Sequence, residues 1–448
     1  MSTVRPGVLV VAKLPGAVRR MAPTVAVALL AVVGCTYTER EPGLLDRDTP
    51  HPTVGPPSSM SSPTTTPLPV ANPELPVAGE SVWTSADGLD VQVRFAVHAV
   101  RRVDGGTVLD WSVTPIRASN LRPGEAVSDA VDLGLSRRWE SSANVLLVDA
   151  RSRKVYRPLA RAPDSDYCLC TPIWLAQRTL RIGVTTLLQV AFPELPDALR
   201  TVDVDIPTVP QFWRVPVTPV GQVPVANRVT DLARPAEVQS RVARSAMFRY
   251  GRSEQVFRVR VHRVVAGGTF ASLEWAIASV TAGDGVEAAS APPFASKDAA
   301  TVTAHNPVAA SGPMLRVDGG TTLRSRAMTT RLTSGEADEC LCTDLRSWTA
   351  VLRRPDKVAT VVTNYPALPR GTQQVEVVFD GLDPMKLTVT PASDATINTA
   401  GPVPTNSKFW RLRRNDPRPG WKTGDWPTPV PTRAELERYT PTVDRLVR

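Results

Sequence analysis

This 448-residue chain is poor in the side chains that do most enzymatic work, with only four histidines and five cysteines. It contains no H-E-x-x-H, no G-x-S-x-G, no G-x-x-x-x-G-K-[ST], and no G-x-G-x-x-G beside a strand pattern. Those motifs place a zinc ion, a serine nucleophile or a nucleotide phosphate, so the common forms of that chemistry are excluded. A convergent site needs no motif, and the exclusion stops there. Lysine is scarce too, supplying 7 of the 52 basic residues. Net charge is missing from the middle. The first 34 residues carry four basic and no acidic side chains, and residues 408–448 carry ten basic and five acidic ones, which accounts for the whole +9. Residues 35–407 are neutral overall. A core that binds nucleic acid would carry a basic face, so no nucleic-acid partner is expected. Nothing points to a cofactor.

Proline, by contrast, is abundant at 43 residues, about twice average usage. Helical bundles do not tolerate that, whereas strand edges, turns and extended linkers do. Residues 22–33 form a 12-residue, nearly apolar run behind Arg19 and Arg20. It is too short for a permanent bilayer span but fits the apolar region of a secretory signal. It ends in Val32-Val33-Gly34-Cys35, which resembles the bacterial lipobox, where the cysteine thiol takes a diacylglycerol before cleavage. The expectation is a signal peptide over 1–34 and lipidation at Cys35, with acyl chains giving a stable anchor on the extracytoplasmic face of the cell membrane. Residues 35–77 are dominated by Pro, Ser and Thr without periodicity, as expected of a disordered tether.

The rest reads as two copies of one unit. Cys168-Leu-Cys170 recurs as Cys340-Leu-Cys342, Phe192-Pro as Tyr365-Pro, His98 with Trp111 as His262 with Trp275, and Gly105-Gly106-Thr107 as Gly267-Gly268-Thr269. Four landmarks in the same order with slowly drifting offsets imply a duplication. The local pattern is β. Val91, Val93, Phe95 and Val97 alternate with more polar residues, as do Phe257, Val259 and Val261, and each run leads through the Gly-Gly turn into a second alternating run. The expected fold is all-β: two tandem immunoglobulin-like β-sandwich domains, at 78–220 and 240–392, joined by a linker at 221–239. Each is expected to fold alone. Residues 393–448 are expected to be a basic, Pro/Trp-rich tail whose start belongs to the second domain if Phe409-Trp410-Arg411, which echoes Phe212-Trp213-Arg214, is its last strand. Within the tail, Thr432-Arg-Ala-Glu435 has the spacing of a capping box for one short helix.

Leu147-Val148-Asp149, Tyr156-Arg-Pro-Leu159, Cys168-Leu-Cys170, Phe192-Pro and Ile206-Pro207 with Val215-Pro216-Val217 together resemble a family of actinobacterial envelope lipoproteins. Its members share duplicated small β-sandwich, immunoglobulin-like modules of unassigned function. Some relatives carry a peptidoglycan-binding domain like that of outer-membrane protein A, and this chain shows no such segment. The second copy lacks the Tyr-Arg-Pro-Leu segment. The resemblance implies an envelope location and says little about activity.

With Cys35 lipidated, four cysteines remain, an even number in an exported chain. Three arrangements are open: Cys168 with Cys170 and Cys340 with Cys342; bridges between the copies; or free thiols for redox or soft-metal work, which would require the motifs to converge. His98 and His262 fall on the polar face of a strand and read as solvated, with a ligand role as the alternative. Trp111 and Trp275 read as core anchors. Asp203 and Asp205 read as outward, solvated acids. The tail interleaves Trp410, Trp421 and Trp426 with arginines, as a solvated tail or as an arm for anionic partners such as phospholipid head groups or wall polymers. The functional expectation is a non-enzymatic binding or scaffolding lipoprotein, held to the membrane by its lipid, with envelope proteins or wall polymers as partners. The rival is a thiol-based redox or metal-handling lipoprotein. A hydrolase with an unrecognised site is the weaker third reading.

Overall fold

The computed structural model describes residues 75–447 apart from several breaks, the longest at 128–143, 226–243, 282–293, 295–308 and 403–430. The expected signal peptide, Cys35 and most of the expected tether lie outside the described residues, as do Trp410, Trp421 and Trp426. The fold is all-β, with one short helix among the described residues, and that helix is too short to cross a membrane.

The first copy contains β1 (Gly79–Ser85), β2 (Val91–Val103), β3 (Gly106–Arg117), β4 (Leu146–Asp149), β5 (Lys154–Tyr156), β6 (Thr186–Phe192), β7 (Thr201–Asp205) and β8 (Phe212–Thr218). β1, β2, β3 and β6 pair in that order as one antiparallel layer, and β5, β4, β7 and β8 form the other. A parallel contact joins the layers where Val100 of β2 meets Val217 of β8. After β9 (Gln222–Pro224), the second copy repeats the plan with β10 (Arg244–Tyr250), β11 (Gln255–Ala266), β12 (Phe270–Ser279), β13 (Met314–Arg316), β14 (Thr322–Leu323), β15 (Ala327–Leu332), β16 (Gly335–Cys340), β17 (Val358–Pro366), β18 (Gln374–Val378) and β19 (Met385–Pro391). Its layers are β10-β11-β12-β17 and β14-β13-β18-β19, again joined in parallel, with Val264 opposite Val389.

The duplication holds residue by residue. Thr107 opposite Phe192 becomes Ala271 opposite Tyr365, and Val97 opposite Trp111 becomes Val261 opposite Trp275. Trp111 and Trp275 are fully buried. Phe95 stacks beside Trp111 at 6.4 Å, and Phe379 meets Trp275 edge-on at 5.2 Å. These are the core anchors that the alternation implied.

Three features depart from the sequence expectations. First, β2 is buried on both faces rather than one. Its outer face is covered by the chain entering at Leu75–Ala78 and by Val223 of β9. Second, the copies share one apolar core, which runs from Trp83 and Trp111 through to Trp275 and Phe379. The described residues all fall within one compact unit. Third, the chain past 393 is more than a tail. β20 (Ala400–Pro402) pairs with β9, and residues 431–447 form helix α1 (Arg433–Leu436) and β21 (Val443–Leu446). The Thr432/Glu435 capping box is present with both of its hydrogen bonds.

Candidate functional site

Both Cys-Leu-Cys motifs lie where the two layers of a copy are tied together. Leu169 N donates to Leu159 O and Leu169 O accepts from Ala191 N, each at 2.9 Å. The second copy repeats this, with Leu341 N to Arg326 O at 2.8 Å and Asn364 N to Leu341 O at 3.1 Å. The matched segment of the second copy is therefore Leu323-Arg-Ser-Arg326, which stands where the first copy has Tyr156-Arg-Pro-Leu159. In each motif the two cysteines are joined to each other, with Cα atoms 5.3 Å apart. Cys170, Cys340 and Cys342 are buried. Peptide mapping without reduction is expected to recover each motif as one fragment lighter by two hydrogens. Four free thiols carrying copper or zinc would contradict the pairing. The loop closed is tiny, so each bridge adds only about 1–2 kcal/mol.

The C-terminal segment clasps both motifs. β21 lies between β5 of the first copy and β15 of the second, making one sheet that runs through both. Just before it, Thr440 N donates to Ala160 O at 2.6 Å, and just after it, Val447 N donates to Ala327 O at 2.9 Å. Ala160 and Ala327 are matched positions, paired with Cys168 and Cys340 respectively. Leu436 of α1 shares an apolar cluster with Leu169, and Leu446 of β21 shares one with Leu341. Gly106 is the seat for α1, since a Cβ there would meet Leu436 at 3.1 Å. The second Gly-Gly turn is also a seat: a Cβ at Gly268 would lie 2.9 Å from Trp213 of the first copy.

Arg157 pins the clasp. Its guanidinium pairs with Glu339 of β16 and with Asp444 of β21, both almost fully buried. Burial works against its charge, but the two carboxylates outweigh burial and hold its pKa above the ordinary arginine value. One side chain of the first copy thus binds the second copy and the C-terminus together.

Beside it lies a polar seam between the copies. Asp203 accepts from Arg214 N at 3.0 Å and from the Thr269 hydroxyl at 2.6 Å. Asp205 accepts from Asn364 Nδ2 at 2.9 Å. Ser272 donates to Asn364 Oδ1 at 2.6 Å, and Arg326 donates to Thr269 O at 3.0 Å. The sequence reading of Asp203 and Asp205 as solvated acids is corrected here. Their strand face is covered by the second copy, and they are 4% and 2% exposed. Burial raises both pKa values, that of Asp205 to about 6, although Gln211, Asn364 and the charge of Arg326 favour the carboxylate. A small cleft at the seam is lined by Arg157, Asp205, Met328, Cys340, Cys342 and Asp344, among others.

The matched histidines are the bulge residues of β2 and β11, since each register shift falls across one of them. His98 stays on the outer face of β2, under the chain entering at Leu75–Ala78. His98 is buried rather than solvated. Nδ1 donates to Pro76 O and Nε2 accepts from the Ser112 hydroxyl, each at 2.8 Å. Burial lowers its pKa to about 4, against the opposing Pro76 carbonyl and Asp110. His262 is partly buried, and neither ring nitrogen has a hydrogen-bond partner among the described residues.

No protein-family model matches the chain, and no curated protein matches it. Among solved structures, the crystal structure of a conserved domain protein from Bacillus anthracis aligns with 65% of this chain and 76% of its own, at 7% identity and a TM-score of 0.16. That likeness carries no argument about fold or function.

The structure brings together what the sequence presented separately: Arg157 of the Tyr-Arg-Pro-Leu segment, Glu339 beside the second cysteine motif, and Asp444 near the C-terminus. The capping box at Thr432 was the available signal that this stretch is ordered. Among the described residues no cluster of three or more metal-ligating side chains forms.

Proposed function

We propose that the protein is an envelope lipoprotein, anchored through Cys35, whose joined sandwiches act as a non-enzymatic binding and scaffolding body outside the plasma membrane. The observation that supports this reading over the thiol-based rival is how the distinctive side chains are engaged. The cysteines bridge within their own motifs, Arg157 holds two carboxylates, and Asp205 is bonded to Asn364. Each contributes to holding the two copies as one body. Envelope proteins or wall polymers are the partner class that fits an anchored body of this kind.

The lipobox-like Val-Val-Gly-Cys makes anchoring directly testable. Cys35→Ala is expected to move the protein from the membrane fraction into the medium, or to leave an unprocessed precursor. A variant that stays membrane-bound and normally processed would contradict the anchor.

A further inference from the structure

The duplication provides an internal comparison for the outer face of the second copy. In the first copy, that face of β1-β2-β3 is covered and its polar groups are matched. Arg94 lies 3.7 Å from Glu80, and His98 bonds to Ser112 and Pro76. Superposing the registers puts Arg258 at Arg94, Arg260 at Ala96 and His262 at His98. Three of the surrounding polar positions change. Glu80 becomes Ser245, Ser112 becomes Ala276 and Thr114 becomes Ala278. The second copy has therefore gained an arginine and lost the carboxylate beside it, while Glu274, the match of Asp110, is paired with Arg263 at 2.9 Å. Arg258 is exposed and Arg260 partly so, and neither has an ion-pair partner among the described residues. Met247, opposite Arg258 on β10, is 49% exposed.

We propose that this face of β10 and β11 docks on the anionic head groups of the membrane surface. Two guanidiniums in a row along one strand, without an ion-pair partner among the described residues, supply the charge complementarity. The adjacent thioether supplies an apolar tip of the kind that enters the head-group boundary. The proposal rests on the anchored reading, and reach is no obstacle. At ~3.3 Å per residue, the 44 residues from Cys35 to Gly79 span up to roughly 145 Å. Docking would lay the double sandwich against the bilayer with its second copy facing the lipid.

The test uses the full chain with Cys35→Ser, so that no lipid anchor contributes, and phosphatidylglycerol-containing or pure phosphatidylcholine vesicles at low salt. At about 1 kcal/mol per arginine near an anionic surface, Arg258→Gln with Arg260→Gln should weaken binding to the anionic vesicles roughly 30-fold. Arg200→Gln with Arg370→Gln, two exposed arginines elsewhere, should change it little. Circular dichroism of each variant checks that the fold is kept. Equal binding by parent and Arg258/Arg260 variant would overturn the proposal, because the basic stretch near the C-terminus would then be the binding element. So would equal binding to both vesicle types, or soluble polyphosphate binding through the same arginines as tightly as vesicles do. Failure of Cys35 lipidation would show in fractionation and not in this assay.

Discussion

Arg157→Ala is expected to destabilise the protein by about 3–5 kcal/mol, the upper end of what a single substitution does. The reason is what it leaves behind. Glu339 and Asp444 are 2% and 5% exposed and face the same guanidinium. Without it, two buried carboxylates keep their desolvation cost and repel each other. Loss of the clasp should follow, because Asp444 sits in the strand that bridges β5 and β15. Chemical denaturation measures the loss, and limited proteolysis should show early cleavage near 430–448. Replacing Arg157, Glu339 and Asp444 together by apolar residues of similar volume should restore most of the stability, since no buried charge is then left unpaired. A single Arg157→Ala variant as stable as the parent would mean that the triad is incidental.

The second large effect is a pH dependence that is hidden in the parent. Asp205 has its pKa raised by burial from 3.8 to about 6, so in the folded state it holds a proton that the unfolded chain has released. Its contribution to stability therefore falls as pH rises from about 4 to about 6. His98 works in the opposite direction. Burial lowers its pKa from 6.5 to about 4, so the unfolded chain binds the extra proton, and stability from this group is present above pH 6.5 and lost as pH falls toward 4. At 1.36 kcal/mol per unit each amounts to about 3 kcal/mol, and the two nearly cancel over the same window. Asp203 and His262 are shifted in the same opposing directions. Asp205→Asn removes one side of this balance. The stability difference between variant and parent should grow in the variant's favour by about 3 kcal/mol from pH 4 to pH 7. A difference that stays constant across that range would show that Asp205 titrates as an ordinary surface carboxylate.

The all-β class, the duplication and the two tryptophan anchors were legible because each rests on local pattern. Alternation of Val91, Val93 and Phe95 marks a strand wherever the chain goes next. The union of the copies was not legible for the same reason. Asp203 and Asp205 occupy the outward positions of a strand, and nothing within β7 shows that the second copy will cover that face. His98 looked solvated because nothing within β2 shows that the chain entering at Leu75–Ala78 will cover its outer face. The clasp was the hardest part. Val443-Asp-Arg-Leu446 is four residues among prolines and basic side chains, with a pattern too short to read as a strand. Its partners Tyr156 and Met328 lie 287 and 118 residues earlier. Such long-range pairing leaves only a weak local trace. Independent folding of the copies, which the repeated landmarks suggested, does not accommodate a core and a sheet that run through both.

With a shared core and a shared sheet, the two sandwiches and the C-terminal clasp should melt as one body. Calorimetry of the full chain with Cys35→Ser measures this directly. The expected result is a single transition whose calorimetric enthalpy equals its van't Hoff enthalpy, shifted to lower temperature as one peak by Arg157→Ala. Two resolved transitions, one for each copy, with only one of them moved by Arg157→Ala, would contradict it.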